Sequence, residues 1–83
     1  MYKLIFEKRA LNGLNKLEKI VKSRIWNKLQ QCKDDPFRFF EKLSETTSFK
    51  LRVGDYRVIA DILKEKEAIF ILKISHRKNI YYN

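Results

Sequence analysis

The segment Phe49 to Leu63 constrains this 83-residue chain more than any other. Phe49, Leu51 and Val53 alternate with Ser48, Lys50 and Arg52, the two-residue period of a strand with one buried face. Gly54-Asp55 follows, and a glycine in the first central position of a two-residue turn is the signal of a type II′ hairpin. Tyr56 to Leu63 then resumes the strand. So short a turn sets the register, with Val53 opposite Tyr56, Arg52 opposite Arg57 and Leu51 opposite Val58. Leu51, Val53, Tyr56 and Val58 share the face expected to meet the core. Ser48, Lys50, Arg52 and Arg57 share the other, where Asp61 offsets part of the charge. Two arginines placed directly opposite each other repel by about 0.2–1 kcal/mol, so the array reads as built around an anion.

The neighbouring segments follow from this hairpin. Lys64 to Glu67 makes a charged turn, and Ala68 to Ile74 is a mostly apolar strand suited to burial on both faces. Running antiparallel from a start beside Leu63, it ends near Tyr56 and Arg57. It thereby delivers Ser75, His76 and Arg77 to the cationic end of the sheet, with Tyr81 and Tyr82 just beyond. Upstream, Tyr2 to Phe6 reads as a first strand. Between Glu7 and Cys32 the period changes: Ala10, Leu14, Leu17 and Val21, then Ile25, Leu29 and Cys32, recur at helical spacing. A single helix over that stretch would be about 39 Å long, too long for so small a body, so a break near Glu18–Ile20 is expected. Asp35 and Pro36 suit the N-cap and first turn of a short helix running to Leu43. The sum is one α+β domain over residues 1–83. It has a small antiparallel sheet, made of the N-terminal strand and a C-terminal three-stranded meander, with the helix pair packed on one face.

The charge narrows the choice of partner. The formal net charge is +9, of which residues 1–35 carry +5, residues 36–63 +1 and residues 64–83 +3. The excess is therefore part of the folded domain and not a tail. With 45% apolar residues, two Gly and one Pro, the chain has the composition of a folded protein. Such an excess calls for a polyanion: RNA, DNA or an acidic protein. The longest apolar run, Ala68 to Leu72, is too short to cross a bilayer, and the first residues lack the apolar core of a signal peptide. A cytoplasmic protein with no membrane partner is expected. One cysteine permits no internal disulfide, and one Cys with one His cannot supply four zinc ligands, so neither metal nor cofactor is expected. Cys32 reads as a small core residue at helical spacing, and Trp26 as a packing anchor or interface residue. Most helix lysines read as solvated surface.

The chemistry open to a metal-free cationic cluster is phosphodiester cleavage. There is no glycine-rich phosphate loop, and no Ser-His-Asp set or carboxylate pair has support from spacing. RNA brings its own nucleophile, the 2′-OH. The protein then needs a proton acceptor, cations that stabilise the crowded phosphorus, and a donor for the leaving 5′-oxygen. A lysine among arginines can act as acceptor, because neighbouring positive charge disfavours its charged form. Without a pair of histidines, much of the rate has to come from holding the strand in place. Weak activity on free RNA is the expectation.

The run Lys50-Leu51-Arg52-Val53-Gly54-Asp55-Tyr56-Arg57-Val58, followed by Ile74-Ser75-His76-Arg77-Lys78-Asn79-Ile80-Tyr81, resembles the RelE branch of the RelE/ParE toxins of toxin–antitoxin pairs. The resemblance spans essentially the whole chain. It implies a RelE-like α+β ribonuclease that enters the ribosomal A site and cuts mRNA through the 2′-OH, leaving a 2′,3′-cyclic phosphate and a 5′-OH. It also implies an acidic, RelB-like antitoxin that masks the basic surface. Carried over by position, Lys50 matches a catalytic lysine and Arg57 the arginine that stabilises the transition state. Arg77 matches the arginine at the leaving group, and Tyr81 the tyrosine that orients or stacks on substrate. His76 stands where a subset of the family has histidine, and Arg52 at a basic position beside these. Ser48, Lys78 and Tyr82 are candidate RNA contacts. Ser48 also occupies the place of a second lysine found in the best-known members. A gyrase-inhibiting ParE-type toxin and a catalytically weak RNA-binding relative are the alternatives.

Overall fold

The structure is a computed structural model and describes residues 1–76 and Lys78. In chain order it has β1 (Lys3–Phe6), α1 (Lys8–Asn15), α2 (Lys19–Gln31), α3 (Pro36–Phe39), β2 (Glu41–Lys42), β3 (Phe49–Val53), β4 (Tyr56–Leu63) and β5 (Ala68–His76). The strands form one sheet in the order β1-β5-β4-β3-β2. The β3–β4 hairpin has the register expected from its turn: Val53 opposite Tyr56, Arg52 opposite Arg57, Leu51 opposite Val58. Gly54 takes φ +60° while Asp55 does not enter the positive-φ region, the combination a type II′ turn requires.

The core lies between the helices and one face of this sheet. Ala10 and Leu14 of α1, and Ile25 and Leu29 of α2, are buried against Leu51, Val53, Val58, Ala60, Ile62, Ile69, Ile71 and Ile74. Cys32 is fully buried at the end of that helical stripe. Trp26 stays partly exposed and stacks on Phe6, with ring centroids 5.8 Å apart. The period read from Ala10 to Cys32 is thus the buried stripe of two helices. The chain breaks between them over residues 16–18, slightly earlier than expected.

Two expectations need correction. The sheet is mixed, not antiparallel throughout, because β1 runs parallel to β5, pairing Leu4 with Ile69 and Phe6 with Ile71. Alternation sets which face of a strand is buried but is blind to direction. The direction of β1 is set by the helices that carry the chain from one sheet edge to the other. The helix that begins at Pro36 ends at Phe39, not Leu43, since Phe40 is already extended. Asp35 sits at its N-cap without a side-chain capping bond. The following residues form a short edge strand in which Glu41 pairs with Lys50 and Lys42 with Phe49. Two residues are too few to leave an alternating pattern in the sequence.

One irregularity decides the end of β5. The β4–β5 register shifts between Ile59 and Ala60, so Ile59 faces Lys73 while Ala60 faces Ile71. Leu72 is the extra residue. A bulge of this kind exchanges the two faces for everything beyond it. It brings Ile74 to the core face, opposite Val58, and pairs Ser75 with Arg57 and His76 with Tyr56.

Candidate functional site

Lys50 and Arg52 on β3 and Arg57 on β4 lie on the face of the sheet away from the helices, at the hairpin end. Arg57 lies between Arg52 on one side and Ser75 on the other, and is 8% exposed. Arg52, by contrast, is exposed. The Ser75 hydroxyl is buried beside Arg57 and makes no hydrogen bond among the described residues. Asp61 is on the same face and accepts a 2.9 Å hydrogen bond from the Ser48 hydroxyl. The place of a second lysine therefore holds a hydroxyl turned towards a carboxylate.

A groove of about 390 Å³ opens where β2 stops pairing and leaves the outer edge of β3 uncovered beyond Lys50. Lys28, Arg38, Phe39, Glu41, Lys50, Leu51 and Arg52 line it. Among the described residues four cations face a single carboxylate, that of Glu41, whose Oε2 is 3.9 Å from Lys50 Nζ. Lys28 Nζ lies 4.7 Å and Arg38 Cζ 5.7 Å from the ring centre of Phe39. At the hairpin tip, a Cβ placed on Gly54 would stand 3.8 Å from Arg24 Nη1, so α2 adds a further cation there. Sequence reading misses Lys28, Arg38 and Glu41. The first two look like ordinary helix cations, and Glu41 becomes visible only once β2 pairs it with Lys50.

His76 occupies the same end of the sheet but the other face. Its ring packs edge-on against Tyr56, centroids 5.1 Å apart, and its Nδ1 accepts a 3.3 Å bond from the exposed Lys78 backbone N–H. The single residue inserted at Leu72 puts it there. The sequence pattern groups His76 with Lys50, Arg52 and Arg57. The four share an end of the sheet, but His76 does not project with the arginines. Arg77, Tyr81 and Tyr82 lie outside the described residues.

Comparison with known proteins adds the family. Residues 4–81 match the ParE toxin of type II toxin–antitoxin systems, parDE. The chain belongs to this toxin family. Among its relatives, the mRNA interferase toxin RelE of Escherichia coli K12 is 29% identical over 80 residues, covering 93% of this chain and 84% of RelE. The toxin of the RelBE2 toxin–antitoxin complex from Mycobacterium tuberculosis superposes with a TM-score of 0.85 at 25% identity, over 92% of this chain and 98% of that one. The intact E. coli RelBE toxin–antitoxin complex gives 0.79 at 28% identity, over 92% and 96%. The mixed sheet with helices on one face is thus the RelE-type toxin fold. Among the described residues no helix is long and apolar enough to cross a membrane.

Proposed function

We propose that this toxin is a metal-independent endoribonuclease that cleaves mRNA in the ribosomal A site. The observation that carries the reading is the convergence of Lys50, Arg52 and buried Arg57 at one sheet end, beside a groove that also holds Glu41. Relatives named mRNA interferase at 29% identity support it. In the reaction the 2′-OH gives its proton to a base, and the freed oxygen lone pair bonds to phosphorus. The P–O5′ bond then breaks with its electron pair on O5′, which takes up a proton. The products are a 2′,3′-cyclic phosphate and a 5′-OH. Among the described residues, Lys50 and Glu41 are the groups lining the groove that this reading offers as proton acceptor. Arg57 and Arg52 stabilise the added negative charge, held in place by the sheet before substrate arrives. Arg77 serves the leaving oxygen, Tyr81 orients the strand, and Tyr82 and Lys78 extend the RNA contact. His76, on the opposite face against Tyr56, takes no step in this reading.

A second basic groove, lined by Lys8, Arg9, Lys16 and Lys73 and about 510 Å³ in volume, lies between α1 and the end of β5. It suits docking on ribosomal RNA, and the +9 charge suits masking by an acidic RelB-like antitoxin in the cytoplasm. Toeprinting on a translated message tests the proposal: new 5′ ends inside the A-site codon are expected. Intact message alongside inhibited gyrase supercoiling would overturn it. That second outcome stands for the ParE-type reading, which the matched family description favours. RNA binding without cleavage would mark a weak relative, as Ser48 in place of lysine allows.

A further inference from the structure

Two of the four cations lining the β3-edge groove come from helices that hold none of the candidate catalytic residues. Lys28 belongs to α2 and Arg38 to α3, and both are drawn to the half-buried ring of Phe39. A cation over an aromatic face is held by the ring's quadrupole, and this limits where a long side chain can wander. Neither Lys28 nor Arg38 has a carboxylate within ion-pair distance among the described residues, while the one carboxylate of the groove sits beside Lys50. The groove therefore has two walls of different character. One carries Lys50 with Glu41, and the other carries Lys28 and Arg38 over Phe39.

We propose that Lys28 and Arg38 form a second phosphate seat. It grips the phosphate next to the scissile one, in a single RNA strand laid along the free edge of β3. This deepens the nuclease reading and rests on it. The groove volume of about 390 Å³ falls in the range of pockets for small ligands and suits about one nucleotide. Phe39 gives that nucleotide an apolar wall against which a ribose or base face can rest. An acidic peptide would use the cations but not the ring, so an RNA strand is the better fit. Lys28 and Arg38 are positioning residues on this account: they hold the strand so that the 2′-OH lines up at Lys50, Glu41 and Arg57.

The test uses the full-length toxin and a short fluorescent RNA made of 2′-O-methyl nucleotides, which cannot be cut. Binding is followed by anisotropy at several salt concentrations. Lys28→Gln and Arg38→Gln should each weaken binding about three- to tenfold. Each should also flatten the slope of log affinity against log salt, and the double variant should flatten it by about 0.7, the amount expected when one phosphate of a single strand is no longer neutralised. Lys28→Arg and Arg38→Lys should restore most of both, and Phe39→Leu should weaken binding without flattening the slope. Circular dichroism melts identify the folded variants. Unchanged affinity and slope in folded Gln variants would overturn the seat, as would failure of the unmodified toxin to bind the RNA at low salt. Equal sensitivity of an acidic peptide of matched charge to the two Gln changes would assign the groove to a protein partner instead. Because the probe measures binding alone, these outcomes are separate from toeprinting, where cleavage itself succeeds or fails.

Discussion

Arg52 and Arg57 face each other across the β3–β4 hairpin, the first exposed and the second only 8% exposed. Like charges directly opposite on antiparallel strands cost about 0.2–1 kcal/mol, and burial of one partner weakens screening by solvent. A pair kept at that cost has a use for its field. Arg52→Gln should therefore raise thermal stability by up to about 1 kcal/mol while lowering affinity for RNA. Thermal melts at low and high salt check it, since the stabilisation should shrink as salt screens the unmodified pair.

Arg57 itself should tolerate no replacement. It stands on the strand between β3 and β5 and is largely buried, and a planar guanidinium fork can meet two phosphate oxygens at once, which an ammonium cannot. Arg57→Lys should keep the fold but lower the cleavage rate on programmed ribosomes by about 10²-fold, the scale for losing one preorganised charge stabiliser. Single-turnover cleavage at saturating toxin separates this from weaker ribosome binding.

Glu41 and Lys50 offer a direct comparison of proton acceptors. If the carboxylate 3.9 Å from Lys50 Nζ takes the 2′-OH proton, Glu41→Gln should lower single-turnover cleavage by about 10²-fold or more. Lys50→Gln should then cost less, as loss of a charge and not of a base. The reverse order assigns the base to Lys50. Stability should barely move with Glu41→Gln, because a wide surface ion pair contributes about 0–1 kcal/mol.

Much of this arrangement is legible in the sequence because the hairpin is local. Gly54-Asp55 and five alternating residues are enough to place Arg52 against Arg57 and Leu51 against Val58. The buried stripe from Ala10 to Cys32 is equally legible, since a helix repeats its pattern over many residues. What escapes depends on relations between distant segments. The parallel pairing of Leu4 with Ile69 is set by how two helices return the chain, and alternation in β1 says nothing of it. Glu41 joins the site through a two-residue strand, and Lys28 through helix packing. His76 changes faces because a single inserted residue, Leu72, reverses parity, and nothing in Ile71-Leu72-Lys73 marks a bulge.

Gly13 shows how closely α1 rests on the strand that carries the site. A Cβ there would lie 2.9 Å from the carbonyl oxygen of Ile74, a backbone atom in the middle of the sheet end. Helix propensity alone favours alanine by roughly 0.5–1 kcal/mol, but the clash moves either α1 or β5. Gly13→Ala should lower stability by about 1–3 kcal/mol net, the usual cost of overpacking. Moving β5 also displaces Ser75 from Arg57, so cleavage should fall further than the fraction unfolded explains. Urea denaturation with parallel cleavage assays checks both parts.

Cys32 gives a pH dependence with a definite sign. Burial pushes its thiol up from 9.0 to about 11, and the positive charge of Lys28 only partly opposes this. The folded state thus keeps a proton that the unfolded chain gives up near pH 9. Stability contributed by the neutral thiol is complete below that point and drains away as pH rises towards 11, by about 1.4 kcal/mol per unit. Other groups titrate in the same range, so the informative quantity is a difference. Cys32→Ala creates a small cavity and should be less stable than the unmodified chain at pH 7. The gap between the two should narrow steadily from pH 9 to pH 11 in urea denaturation. Over the same window the native thiol should resist alkylation by iodoacetamide until the protein unfolds, because only the thiolate is nucleophilic and burial keeps it scarce. A gap constant across that window would mean the thiol titrates as freely in the folded protein as in the unfolded chain.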